Sequence, residues 1–134
     1  MDIDHLRALL SGERVEPIAV AAIHNPALAE VIGAADRHAV LLSRDTIVKE
    51  KVRHPDIDFE QYCVLPDVVR FGLVVQEYSQ QLVFCYEHHS GRRYRAMVKA
   101  TLAGHELYVT SFHRMRDRQT KAILKRGLIL RRHA

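Results

Sequence analysis

The chain has 134 residues and a mass of 15.4 kDa, with 48% hydrophobic and 27% charged side chains and a mean hydropathy of −0.15. That mix fits one globular domain spanning 1–134 and argues against intrinsic disorder. No apolar run approaches the roughly 18 residues that a membrane span requires, and Met1-Asp2-Ile3-Asp4 lacks the basic region and apolar stretch of a secretory signal. Cys63 and Cys85 have no CxxC spacing, so they read as small buried hydrophobes rather than a zinc site or disulfide framework.

The elements follow in chain order. Residues 4–10 start a short helix, and Pro17 to Ile23 is an apolar, β-branched run compatible with a strand or a buried helix. Asn25-Pro26 resembles a helix start running to about Ala35. His38–Leu42 is strand-like, and Ser43 caps a helix, SRDTIVKEKVRH, that Pro55 stops. Asp58 caps a further turn, and Pro66 starts a short helix ending near Gly72.

The period then changes from about 3.6 to 2. Residues 73–78, 81–89, 94–101 and 105–112 are successive strands separated by short turn signals. A segment over 114–126 reads as a basic helix closed by Gly127, with 128–130 as a last strand or a packed tail. Helices followed by a four-stranded antiparallel sheet and a basic C-terminal helix make an α+β fold.

Charge is unevenly spread along these elements. The net charge is +4, but residues 1–91 hold 8 Lys/Arg against 14 Asp/Glu, and residues 92–134 hold 12 against 2. The second part is therefore +10 and the first −6, a polarity expected of a surface that meets a polyanion. On the 114–126 helix, Arg114, Arg118, Lys121 and Lys125 fall on one stripe suited to a phosphate backbone, with Met115, Ala122 and Ile123 on the packing side.

Parity isolates a polar sheet face. Tyr94, Ala96, Val98 and Ala100 form the core side of their strand. A two-residue turn at Ala103-Gly104 sets Val98 opposite Val109, Lys99 opposite Tyr108, Met97 opposite Thr110 and Arg95 opposite Phe112. A three-residue turn at Ser90-Gly91-Arg92 sets Phe84 opposite Val98 and Glu87 opposite Arg95. Glu87, His89, Arg95, Lys99, Tyr108 and Thr110 then share one side, which is either an ordinary wet face or a site.

Cleaving RNA without a metal requires a base for the 2′-hydroxyl, an acid for the leaving oxygen and cations for the phosphorane. Among nine histidines, His54 stands out at the end of a basic helix before Pro55, where it either projects over the sheet or merely caps the helix. His113 ends the last strand of the meander, and its parity points it coreward unless the strand frays. There is no phosphate-binding loop, GxGxxG or HExxH motif. Asp56 and Asp58 read as capping residues.

The stretch LLSRDTIVKEKVRHPDIDFEQYCVLPDVV, followed by strands holding RAMVKAT and ELYVTSF, resembles the phage-encoded members of the barnase–EndoU–colicin–RelE nuclease superfamily. The likeness covers about residues 38–126, and it sets 1–37 apart as an N-terminal extension to a core over 38–134. It falls on Lys51 to Pro55, on Lys99, and on Thr110 with Ser111.

The resemblance implies a metal-independent endoribonuclease, a toxin or phage effector, that leaves a 2′,3′-cyclic phosphate without a cofactor. His54 acts as acid or base with His113 in reserve, and Lys99 and Arg95 stabilise the phosphorane. Tyr108 and Thr110 orient the phosphate, and Lys51, Ser111, Arg114, Arg118 and Lys121 bind substrate. No glutamate is clearly placed as base, although Glu87 and Glu106 lie on the face or its edge. Expected partners are RNA, with tRNA one candidate, and a neutralising antitoxin or immunity protein, in the cytoplasm and away from membranes. The alternatives are a non-catalytic RNA- or DNA-binding domain and a phage assembly protein with a degenerate nuclease fold.

Overall fold

The computed structural model describes residues 1–23, 28, 38–78, 81–101, 106–116, 118, 122, 125 and 128–131. Helix α1 spans Ile3–Ser11; the Asp2 side chain accepts from the His5 amide, and Gly12 at φ 90° ends it. Helix α2 (Arg44–Arg53) starts at Ser43, whose side chain accepts from the Thr46 amide, and ends at His54. Pro55 disfavours helical backbone at the residue before it, and His54 accordingly sits at φ −136°. Helix α3 (Phe59–Tyr62) opens with a capping box between Asp58 and Gln61. Helix α4 (Leu65–Phe71) carries Pro66 in its first turn, where no amide donor is needed. Among the described residues no helix is long and apolar enough to cross a membrane.

The fold is α+β, but its sheet is larger than the four antiparallel strands expected. Strands β1 (Ile18–Ile23), β2 (His38–Leu42), β3 (Leu73–Tyr78), β4 (Gln81–Glu87), β5 (Arg93–Ala100), β6 (Leu107–Arg114) and β7 (Leu128–Arg131) form one seven-stranded sheet in the order β1-β2-β6-β5-β4-β3-β7. The expected meander β3–β6 is its centre. β7 extends it antiparallel beside β3, and β2 extends it parallel beside β6, which makes the sheet mixed. Parallel pairing across so long a stretch of chain leaves no turn signal to read.

One side of the sheet carries the main core, in which Phe84, Tyr94, Val98 and Phe112 pack with Tyr62, Leu65 and Val68 from the helices. Leu6, Leu9, Ile18 and Val20 are buried in that same cluster, so the described part of the N-terminal stretch, 1–23, is continuous with the core. The other side holds a smaller apolar cluster of Leu73, Val75, Val83, Cys85 and Met115. Cys63 and Cys85 are free, Cys85 buried and Cys63 half-buried.

Two registers depart from expectation. The β4–β5 connection is a five-residue loop closed by His88 N–H on the Arg92 carbonyl, 2.8 Å, with Gly91 at φ 88°. Phe84 therefore faces Ala96, and Glu87 faces Arg93 rather than Arg95, with 3.8 Å between Glu87 Oε2 and Arg93 Nε. A slip of two residues keeps every side chain on its expected face. Between β5 and β6, Val98 faces Val109 and Lys99 faces Tyr108 as expected, but a bulge follows. Met97 then faces Ser111, Ala96 faces Phe112 and Arg95 faces His113. One extra residue, Thr110, inverts the parity beyond it, sending Phe112 into the core and His113 to the side of Arg95.

The basic helix expected over 114–126 begins later, because Arg114 belongs to β6. Arg118, Ala122 and Lys125 are helical and exposed, Ala122 included, although it was expected to pack. Lys121 and Ile123, the turn at Ala103-Gly104 and most of the helix expected over 25–35 lie outside the described residues.

Candidate functional site

Strand β2 pairs with β6 only at Val40–Leu107 and Leu41–Tyr108. The chain then turns into α2, whose side chains take over the edge of β6 where β2 leaves it. Thr46 Oγ1 donates to the Val109 carbonyl at 2.8 Å, and Lys49 Nζ donates to the Thr110 carbonyl. Carbonyls that would otherwise lack a ladder partner are thus satisfied. Helix α2 lies along β6, and its C-terminal residue arrives over the end of that strand.

There the rings of His54 and His113 stack, 4.3 Å between centroids and 18° from parallel. His113 is only 8% exposed. Its Nδ1 lies 2.8 Å from the Arg114 carbonyl; a carbonyl only accepts, so Nδ1 carries a proton, and in the neutral ring Nε2 holds the lone pair. Burial chiefly pushes the His113 pKa below the usual imidazole value, helped by His54 and Arg95 and opposed by the Arg114 carbonyl and Glu50.

Beneath His54 lies Glu50, only 1% exposed. Its carboxylate is 3.4 Å from His54 Nε2 and 3.6 Å from Lys49 Nζ, and neither oxygen has a hydrogen-bond partner among the described residues. Burial, then the charge of Glu50, pushes the Tyr62 phenol far above its ordinary range. The two histidines open onto a pocket of about 440 Å³ that Asp56, Arg114, Met115 and Arg116 complete. A buried, neutral imidazole can take a proton, a second imidazole beside a carboxylate can give one, and arginines at the rim can hold an oxyanion.

Of the residues singled out in the sequence, His54, His113, Arg95 and Arg114 come together here. Lys99 does not: it is exposed and opposite Tyr108, four residues along β5 from Arg95, about 13 Å at strand rise. Tyr108 is at that far end too. It donates to Glu106 Oε2 at 2.6 Å, a bond that raises its phenol pKa above the usual value. Thr110 sits in the bulge with its hydroxyl on the Met97 carbonyl, 3.3 Å, and Ser111 faces Met97. Lys51 lines a separate groove between α1, α2 and α3. Arg118 is exposed, and Lys121 lies outside the described residues.

Glu50 and Arg116 are missed by sequence reading, Arg116 because the expected basic helix takes it in without singling it out; Glu50 is the more telling. Its signal was spacing: Glu50 and His54 are i and i+4 on a helix, and Glu50 shares its face with buried Thr46 and Ile47. Among the described residues no group of three or more His, Cys, Asp or Glu side chains is arranged to hold a metal ion. No family model matches the chain, and neither a curated protein nor a solved structure matches it.

Proposed function

We propose that this chain is an endoribonuclease that uses its own side chains, without a metal, to cut RNA at the His54–His113 pocket. His113 Nε2 takes the 2′-hydroxyl proton, and the freed oxygen attacks the adjacent phosphorus. Protonated His54, beside Glu50, gives a proton to the departing 5′-oxygen. Arg95, Arg114 and Arg116 offset the charge of the phosphorane, and the products are a 2′,3′-cyclic phosphate and a 5′-hydroxyl. Lys99, Tyr108 and Thr110 have no part in these steps. A nuclease of this size suits a toxin or phage effector, whose cationic surface an acidic neutralising partner would cover.

The observation that carries the reading is the pairing of two stacked histidines over one buried carboxylate, 3.4 Å from the nearer ring. Few glutamates are buried without hydrogen bonds, and strongly perturbed buried groups concentrate at sites of chemistry. The test is cleavage of end-labelled RNA in EDTA by the wild type, His54→Ala and His113→Ala. Cyclic-phosphate products lost in both variants are expected. Salt-sensitive binding with no cleavage by the wild type would replace this reading with that of a binding module.

A further inference from the structure

The segment that follows α2 separates two cavities. His54 and Asp56 line the pocket just described, whereas Pro55, Ile57 and Asp58 line a second groove on the other side, between α1, α2 and α3. That groove has a volume of about 610 Å³, ample for one nucleotide and within the range of small-molecule sites. Its floor is apolar and partly aromatic, built from Leu10, Ile47, Ile57, Phe59 and Tyr62. Its rim carries two cations, Arg7 from α1 and Lys51 from α2.

The charges there are complementary to an anion. Asp58, the carboxylate at the rim, is engaged as the cap of α3, accepting from the Glu60 amide at 3.1 Å. Lys51 is exposed and makes no ion pair among the described residues. Arg7 lies over the Phe59 ring, its guanidinium carbon 4.6 Å from the centroid, and its salt bridge to Asp4 is long, 3.6 Å, and exposed, so that bond holds it weakly. A flat guanidinium over an aromatic ring marks a place where a nucleobase stacks equally well, since both surfaces bind π-faces. Phosphates on either side of such a base would meet Arg7 and Lys51.

We propose that this groove is a second nucleotide subsite, taking an unpaired base of the same RNA strand whose scissile phosphate lies at His54 and His113. This rests on the nuclease reading above. Residues 54–58 form the partition over which the strand passes, so cleavage falls a short, fixed distance from an unstacked base. The substrate class is therefore single-stranded or looped RNA, because a base held in a duplex cannot enter the groove.

The test uses the full chain and short single-stranded RNAs carrying one 2-aminopurine, whose fluorescence falls when it stacks. The wild type should quench it in a saturable manner. Lys51→Glu, an exposed change, and Phe59→Leu, which keeps an apolar floor without a ring, should each weaken binding and raise KM about ten-fold, the loss expected for one stacked base or one phosphate contact. Melting curves check that both variants fold. Cleavage with KM unchanged in both variants would overturn the subsite and leave the nuclease reading intact. Quenching that both variants weaken, without cleavage by the wild type, would overturn the nuclease reading and leave the groove as a nucleotide site. A hairpin whose paired stem is cut as readily as its loop would also overturn the proposal.

Discussion

His54 and His113 come from a helix end and a strand end, yet their rings stack 4.3 Å apart. The consequence is a dependence on pH. His113 is held below the usual imidazole value mainly by burial, with His54 and Arg95 adding to the effect. The native state therefore binds fewer protons at this residue than the unfolded chain does. Its contribution to stability is complete above about pH 6.5, the unfolded value, and is lost as pH falls from there through the lower native value. The wild type should lose more melting temperature between pH 7.5 and 5 than His113→Gln, which cannot titrate. Equal losses in the two proteins would contradict a buried, neutral His113.

Glu50 leads to a separation of stability from activity. Removing one partner of a buried ion pair usually destabilises because the other charge is stranded. Here the partners are His54 and Lys49, with side chains 33% and 39% exposed, and Lys49 also reaches the Thr110 carbonyl. Both can be solvated, whereas Glu50 is buried without a hydrogen bond. Glu50→Gln should therefore change unfolding free energy by less than about 1 kcal/mol, or raise it, while cleavage falls at least ten-fold as His54 loses its counter-charge. Urea denaturation and rate measurements on the same preparation check both halves.

Local signals made much of this fold legible. Ser43 before α2, Pro55 after it, Asp58 before α3 and the period-2 runs of β3 to β6 each act over a few residues, and the structure uses each as read. Parity also survived the two-residue slip between β4 and β5. What escaped depended on contacts distant in sequence. The pairing of β2 with β6 has no turn to announce it, and the bulge at Thr110 inserts one residue without a glycine to mark it. That single residue decides whether His113 faces the core or Arg95. Parity assigns Lys99 to the right face, but only position along the strand tells that it lies at the far end from Arg95 and His113.

Gly72 tests how closely α4 and β4 approach. Its φ of −67° suits any residue, so space alone decides. A Cβ there would stand 2.5 Å from the Val68 carbonyl oxygen and 3.0 Å from that of Cys85, both backbone atoms. Neither can swing aside as a side chain does. Gly72→Ala should destabilise by about 1–3 kcal/mol, the usual cost of overpacking. A melting temperature equal to that of the wild type would mean that the last turn of α4 and strand β4 both give way at this point.

Thr46 joins the scaffold to the site. Its hydroxyl donates to the Val109 carbonyl at 2.8 Å in a buried setting, and it is the first bond to hold α2 against β6 beyond the end of β2. Thr46→Val keeps the shape and removes the donor, leaving the Val109 carbonyl buried without that partner. The backbone part of the α2 cap persists, because Ser43 Oγ accepts from the Thr46 amide, although the Ser43 hydroxyl loses Thr46 Oγ1 as its acceptor at 3.3 Å. The loss should be about 1–3 kcal/mol by urea denaturation. It should also reach the pocket, since the position of His54 over His113 depends on how closely α2 follows the strand. An NMR pH titration of the imidazole resonances would show it: in Thr46→Val the His113 pKa should move back up toward the ordinary value as its cover loosens. A destabilised variant with that pKa unmoved would place the restraint on His54 elsewhere, in the bond between Lys49 and the Thr110 carbonyl.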